Sequence, residues 1–165
     1  MSRFVTVWVA LLMIGAPAGL ADARKDCFEK SGDVAIKACS EAILRDPKDT
    51  VSYVNRAFEY VQKGEHTQSI ADYSKAIELD ASRLDAYQGR AWAYLKTGKA
   101  AQGLADAERA LQVKPNDART FDTRGHIYEA LGRRDDAIAD FRRALAIEPR
   151  MQGSREGLQR LGGKP

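Results

Sequence analysis

The sequence has little of what most enzyme active sites are built from. Its 165 residues include two histidines and two cysteines. We find no Ser-His-Asp set, no G-x-S-x-G segment, no phosphate-binding loop and no paired acids in a plausible pocket. Two cysteines cannot form a zinc site alone, and Cys27 and Cys39 are too far apart for a C-x-x-C redox motif. We therefore expect a protein that is not an enzyme and that uses no metal or other cofactor.

A strong excess of one charge is also missing. The chain has 26 basic and 23 acidic side chains, and its formal charge is +3. This charge is too small to indicate nucleic-acid binding, which needs Lys and Arg clustered on one face. Four arginines do cluster late in the chain, and we interpret them as a solvated helix surface: Arg133, Arg134, Arg142 and Arg143. We expect no nucleic-acid partner.

A long apolar run occurs only at the start of the chain. Arg3 gives a positive beginning, residues 4–14 are apolar apart from Thr6, and residues 15–23 are rich in small side chains. This is the layout of a secretory signal peptide, which we assign to residues 1–23. The alternative is an uncleaved membrane anchor, but as a helix the run would extend about 16 Å, roughly half of a bilayer core. Cleavage fits after Ala18, Ala21 or Ala23. The mature protein would then be periplasmic or secreted, without stable membrane insertion.

Columns of residues recur with a period of 34 in the rest of the chain. Three glycines mark the period, and tyrosines and alanines recur with them: Gly64, Gly98 and Gly132; Tyr60, Tyr94 and Tyr128; Ala76, Ala110 and Ala144. A period of this size indicates one supersecondary unit stacked several times. The full units are residues 50–83, 84–117 and 118–151. Apolar and small residues within each unit recur at spacings of three and four, and the glycine divides the unit into two helices.

These units resemble the tetratricopeptide repeat. The resemblance rests on the small-x-x-Tyr-x-x-x-Gly pattern and on the segments SIADYSKAIELD, GLADAERALQVKP and AIADFRRALAIEP, within residues 50–149. It implies an all-α fold, a short right-handed superhelix of antiparallel helical hairpins, and a role as a protein–protein interaction module or scaffold. Combined with the signal peptide, it indicates the bacterial periplasm. Ser69 and Gly103 depart from the family pattern by replacing an alanine.

The two ends of the repeat array are atypical. Residues 24–49 are predicted to be a degenerate first repeat, with its first helix from about Asp22, and residues 152–165 a C-terminal capping helix and tail. Cys27 and Cys39 fall on the two helices of the degenerate repeat. In an oxidising compartment we predict a disulfide between them, worth about 3 kcal/mol on the chain-entropy model. Two buried free thiols are the alternative.

Two sets of polar residues could be mistaken for metal or catalytic sites. Asp72, Asp106 and Asp140 form a column, but equivalent residues of stacked repeats lie about 10 Å apart, and a cation needs oxygens within about 2.6 Å. We therefore expect these carboxylates on solvated helix faces. His66 and His126 lie in different units, and we expect both to be surface or groove residues.

The family resemblance implies that a partner binds a concave face lined by the first helices. Carried over to this sequence, the groove residues are Asn55, Phe58, Gln62, Gln88, Trp92, Lys96, Arg119, Asp122 and His126. Phe58, Trp92 and His126 share one column, and aromatic residues are typical anchors for partner segments. Packing of Phe58 and Trp92 against neighbouring helices is the alternative.

The expected partner is a protein or peptide of unknown identity. Some family members clamp a peptide carboxylate with Lys and Asn, but Val54, Gln88 and Asp122 stand at one of those columns here. We therefore expect the bound element to be a partly apolar helix or extended segment. The competing hypothesis is a self-associating structural protein, a homo-oligomer in which another copy fills the groove or the end of the stack.

Overall fold

The computed structural model describes residues 18–163, and this part of the chain folds into nine α-helices and no strands. The helices are α1 (Ala18–Glu29), α2 (Gly32–Arg45), α3 (Thr50–Gln62), α4 (His66–Leu79), α5 (Leu84–Lys96), α6 (Ala100–Val113), α7 (Ala118–Ala130), α8 (Arg134–Ile147) and α9 (Gln152–Arg160). The prediction of an all-α repeat of helical hairpins is confirmed. Residues 1–17 of the predicted signal peptide lie outside the described residues. None of the nine helices is both long and apolar enough to cross a membrane.

The glycine of each repeat makes the turn between its two helices. Gly64, Gly98 and Gly132 have φ values of 76°, 73° and 72°, a left-handed conformation that costs other residues energy. The residue after each glycine donates its N–H to the carbonyl of the repeat tyrosine, as Glu65 does to Tyr60 at 2.8 Å. This is the Schellman arrangement, which satisfies carbonyls left free at a helix C-terminus. The 34-residue spacing of the glycines thus reflects the turn between the two helices of each repeat.

The helices stack so that the first helix of each hairpin lies on the inner side. Each helix contacts the next along the chain, and α1, α3, α5, α7 and α9 also contact one another in succession, while the second helices, α2 to α8, do not. Small residues permit this close packing, since Ala57, Ala91 and Ala110 are fully buried. The odd-numbered helices therefore form the concave face.

The aspartate column is buried, so our expectation of solvated carboxylates is wrong. Asp72, Asp106 and Asp140 are 7%, 6% and 1% exposed. Each accepts two hydrogen bonds, at 2.6–3.0 Å, from an arginine sixteen residues earlier on the partner helix of the same hairpin: Arg56, Arg90 and Arg124. The antiparallel hairpin brings together two columns that we had not paired in the sequence.

Two of these arginines also connect neighbouring repeats. Arg56 donates to Ser40 Oγ on α2, and Arg90 donates to Ser74 Oγ on α4, both at 2.9 Å. Each guanidinium therefore holds three consecutive helices together. The basic cluster in the last repeat, by contrast, is on exposed helix surface as predicted, where Arg133 pairs with Asp136 at 2.7 Å and Arg143 with Asp140 at 2.9 Å.

The first hairpin is joined by its cysteines. The Sγ atoms of Cys27 and Cys39 lie 2.07 Å apart, and both residues are buried. The helix α1 begins at Ala18, four residues before its predicted start, and the Gly19 carbonyl accepts a hydrogen bond from Arg45. Arg24 on α1 makes two hydrogen bonds, at 2.6 and 2.7 Å, to the buried Asp49 that caps α3. The degenerate repeat is thereby fixed to the first full one.

Candidate partner-binding groove

The concave face contains a central cavity between α3, α5 and α7. Its volume is about 360 Å³, and its lining combines apolar and polar side chains: Val54, Asn55, Phe58, Val61, Gln62, Tyr73, Asp85, Gln88, Gly89, Trp92, Arg119 and Thr123. Six of the nine predicted groove residues are in this lining. The size is at the lower end of ligand-binding cavities, so the cavity accepts one or two side chains rather than a whole folded element.

Two aromatic side chains line the cavity and differ in how far they are buried. Phe58 is 51% exposed, so about half of the residue is left uncovered. Trp92 is half-buried, with the Lys96 ammonium 4.4 Å from its ring centroid and the His126 ring 6.1 Å away in an edge-on arrangement. A supported indole beside an exposed phenyl ring resembles an anchor site for an apolar side chain.

The groove continues into a C-terminal pocket that α9 closes. This pocket has a volume of about 450 Å³ and is lined by Trp92, Leu95, Lys96, His126, Glu129, Ala130 and Arg160. Arg160 donates two hydrogen bonds to Glu129, at 2.8 and 3.0 Å, and these bonds lower the pKa of that carboxyl below its usual range. His126 lies within 3.9 Å of Asp122 and 3.4 Å of Glu129. Arg160, Glu129 and His126 are thus close to one another, while the Lys96 ammonium of this pocket lies over the Trp92 ring.

Two predicted groove residues have structural partners that the sequence did not suggest. The Gln88 amide donates to Asp117 and, at 2.5 Å, to Thr120 Oγ1, at the beginning of α7. Asp122 accepts a hydrogen bond from Ser154 of α9 at 2.6 Å and lines neither cavity. Both side chains connect a repeat to the following one. Before any partner protein binds, both side chains are therefore already hydrogen-bonded within the protein.

Other polar groups of the central cavity remain available. Within residues 18–163, Gln62, Arg119 and Thr123 make no side-chain hydrogen bond or ion pair, and Arg119 is exposed. Asn55 makes one long contact, 3.9 Å from its amide nitrogen to Cys27 Sγ. Asp85, by contrast, is held by Arg83 through bonds of 2.6 and 2.9 Å. Both hydrogen-bond donors and acceptors therefore remain free at this cavity.

The sequence analysis missed Tyr73, which reaches the groove from the second layer of helices. Tyr73 belongs to α4 and is 3% exposed, yet it lines the central cavity. The hydroxyl end of its ring lies against Gly89, where any Cβ atom would overlap it. Burial, with a smaller contribution from the Asp85 carboxylate, raises the pKa of this phenol well above its ordinary value. The sequence signal for this contact was an aromatic residue sixteen positions before a glycine. Phe141 and Gly157 have the same spacing and the same contact.

No group of three or more His, Cys, Asp or Glu side chains in the described part of the chain is arranged to hold a metal ion. His66 begins α4 and lies outside both cavities, while His126 lies in the C-terminal pocket.

Family models match three consecutive stretches of the chain. A model described as TPR repeat matches residues 59–98, and models described as tetratricopeptide repeat match residues 84–117 and 118–151. The last two matches coincide with two of the units that the 34-residue period delimits. Together the three matches span residues 59–151, more than half of the sequence.

Solved structures with similar folds include repeat domains from several organisms. The second TPR domain of human RPAP3, in complex with the HSP70 peptide SGPTIEEVD, is 25% identical, with 70% of this chain and 96% of that chain covered and a TM-score of 0.64. The Arabidopsis OM64 TPR domain is also 25% identical, with 68% and 93% covered and a TM-score of 0.66. MamA 41-end from Desulfovibrio magneticus RS-1 is 15% identical, with 90% and 86% covered and a TM-score of 0.79, a likeness of fold alone.

Proposed function

Because the chain belongs to the tetratricopeptide repeat family, we propose that it is an exported protein-interaction module that binds a segment of a partner protein in its concave groove. The observation that carries the proposal is the exposed Phe58 ring beside the supported Trp92 ring at the central cavity. A phenyl group that is half exposed has apolar surface left for a partner to cover, worth on the order of 1 kcal/mol. Repeat stacking itself gives no reason to keep it there.

The mode of binding follows from the polar groups around these rings. Arg119, Gln62 and Thr123 offer hydrogen-bond donors without partners in the described structure. The similar human RPAP3 domain is in complex with a peptide, which supports a peptide segment as the occupant. A partly apolar segment with polar main-chain groups would use both the rings and the donors.

Export to the bacterial periplasm is supported by two independent features of the chain. The first is the signal-peptide pattern of residues 1–23. The second is the Cys27–Cys39 pair, whose sulfurs lie at bonding distance in the first hairpin. Disulfides of this kind persist in oxidising compartments and are rare in the cytosol.

The proposal is tested by removing the exposed ring and a matched ring elsewhere. Phe58→Ala removes a phenyl group that is 51% exposed at the cavity, and Phe28→Ala removes one that is 76% exposed on α1 and outside both cavities. In crosslinking pull-downs from the producing organism, Phe58→Ala should lose a specific partner that wild type and Phe28→Ala retain. Circular dichroism melts should be equal for all three proteins. Retention of the partner by Phe58→Ala, at unchanged stability, would remove the groove as its binding site.

Self-association is a second candidate function, and one observation favours it. Phe28, Val34 and Leu44 are 76%, 60% and 82% exposed, and all three belong to the hairpin at the N-terminal end of the stack. Another copy of the chain could cover them at the end of the stack. Sedimentation equilibrium of wild type and of Leu44→Ala tests this candidate. A dimer that Leu44→Ala weakens would support it, and a wild-type monomer at all concentrations would exclude it.

A further inference from the structure

We propose that the Tyr73 hydroxyl donates a hydrogen bond to a main-chain carbonyl of the bound segment, so that the cavity floor at Gly89 recognises peptide backbone. The inference rests on the proposed function, since it concerns the same groove. It adds a recognition element from the second layer of helices to those of the first helices. It also specifies the conformation of the bound segment.

The first argument is that this hydroxyl lacks a partner. Tyr73 is 3% exposed, and its hydroxyl makes no hydrogen bond with any residue between 18 and 163. The enclosed side-chain atoms without a partner in this part of the chain are His66 Nδ1 and Ser69 Oγ, so the Tyr73 oxygen keeps its small exposure at the cavity that it lines. The equivalent position in the last repeat is Phe141, whose ring packs without a hydroxyl. Packing of the ring therefore does not require the oxygen.

The second argument is that the hydroxyl reaches the cavity through a gap that glycine leaves. Gly89 lines the central cavity, and an added Cβ would overlap the Tyr73 oxygen and the ring end. The neighbouring repeats carry Asn55 and Thr123 at the column of Gly89. Among the described repeats, the junction between the first and second full units combines a glycine on the inner helix, Gly89, with a hydroxyl behind it, whereas the Phe141–Gly157 pair has a ring without a hydroxyl. The donor is thus aimed at the volume that a ligand would occupy.

The protonation state of the hydroxyl suits this role. Burial raises the pKa of the Tyr73 phenol, with a smaller contribution from the Asp85 carboxylate. The phenol itself stays protonated at all physiological pH values, and it is therefore always a donor.

A main-chain acceptor requires the bound segment to be extended. In a helical ligand the carbonyls, except those of the last turn, are already bonded within the helix. An extended segment presents its carbonyls outward, alternating with its side chains. One side chain can then lie against Phe58 and Trp92 while the adjacent carbonyl meets Tyr73. The small size of the cavity, about 360 Å³, fits such a segment better than a helix.

The test uses defined peptides and a conservative substitution. Twelve-residue peptides selected on the wild-type protein from a random displayed library are the probes, and Phe58→Ala identifies those bound in the groove. Their affinities are then measured for Tyr73→Phe and for Tyr87→Phe, a buried tyrosine outside both cavities. Finally, each backbone amide of one peptide is replaced by an ester, whose carbonyl is a weaker acceptor.

We expect Tyr73→Phe to weaken groove-bound peptides roughly three- to tenfold, without a lower melting temperature, because the free protein loses no hydrogen bond. Tyr87→Phe should leave affinity unchanged. One ester position should weaken binding to wild type but not further weaken binding to Tyr73→Phe. Equal affinities of wild type and Tyr73→Phe, with binding still lost in Phe58→Ala, would overturn this inference alone. Peptides that Phe58→Ala binds normally would overturn the proposed groove as well.

Discussion

Removing one carboxylate from the middle repeat tests whether the buried Arg–Asp pairs stabilise the stack. Asp106 is 6% exposed and accepts two hydrogen bonds of 2.7 Å from Arg90, which also bonds Ser74 at 2.9 Å. Asp106→Ala leaves the guanidinium without its counter-charge between three helices. Breaking a buried ion pair costs about 3–5 kcal/mol.

The expected magnitude lies at the lower end of that range. The Arg90 side chain keeps 19% exposure, so water can reach part of the abandoned guanidinium. We expect a loss of about 3 kcal/mol in the free energy of unfolding. In a domain of this size the melting temperature should fall by roughly 6–12 °C. Urea unfolding followed by circular dichroism, together with a thermal melt, measures both quantities.

Two comparison variants make the result interpretable. Asp136→Ala breaks an ion pair of similar length, 2.7 Å to Arg133, in which both side chains are about half exposed at 48% and 50%. Such surface pairs contribute about 0–1 kcal/mol. The double variant Arg90→Met with Asp106→Leu removes both charges and should recover most of the lost stability. Equal destabilisation by Asp106→Ala and Asp136→Ala would refute the reasoning.

Three further predictions concern other parts of the fold. The hydroxyl of Ser69 is buried without a hydrogen bond to any described residue, so Ser69→Ala should raise the urea midpoint; a lower midpoint would contradict this. Burial raises the pKa of Asp117, but hydrogen bonds at the start of α7 outweigh it and lower the pKa below its ordinary value. The stabilisation from this carboxylate is present above the unfolded pKa of about 3.9 and is lost as the pH falls through the folded pKa. Asp117→Asn should therefore reduce the fall in the free energy of unfolding at acid pH, and an unchanged fall would count against this prediction. Because Ala23 is buried and Arg24 binds Asp49, mass spectrometry of the mature protein should find cleavage before Asp22, not after Ala23.

The sequence predicted the repeat architecture well because the fold is periodic. Residues at the columns of Gly64 and Ala110 have the same structural role in every unit, so the three copies made these positions recognisable in the sequence. The helix boundaries followed from turn residues within each unit. The beginning of α1 was missed by four residues because the degenerate repeat has no second copy for comparison.

The candidate groove was predictable only in part. The column of Phe58 and Trp92 could be carried over from the family resemblance, and both residues line the central cavity. The roles of Gln88 and Asp122 could not, because their partners belong to the next repeat and depend on how repeats stack. That the Tyr73 hydroxyl has no hydrogen-bond partner could not be predicted from the sequence for the same reason. Hydrogen bonds between distant segments are properties of the packed structure.

A photocrosslinking residue at two positions tests the groove most directly. Gln62 lines the central cavity, and Gln102 is exposed on α6, on the opposite side of the stack. With the crosslinker at residue 62, irradiation in the producing organism should give one specific adduct, and Phe58→Ala in the same chain should abolish it. The crosslinker at residue 102 should give none. An adduct at residue 102 and none at residue 62 would contradict binding in the concave groove.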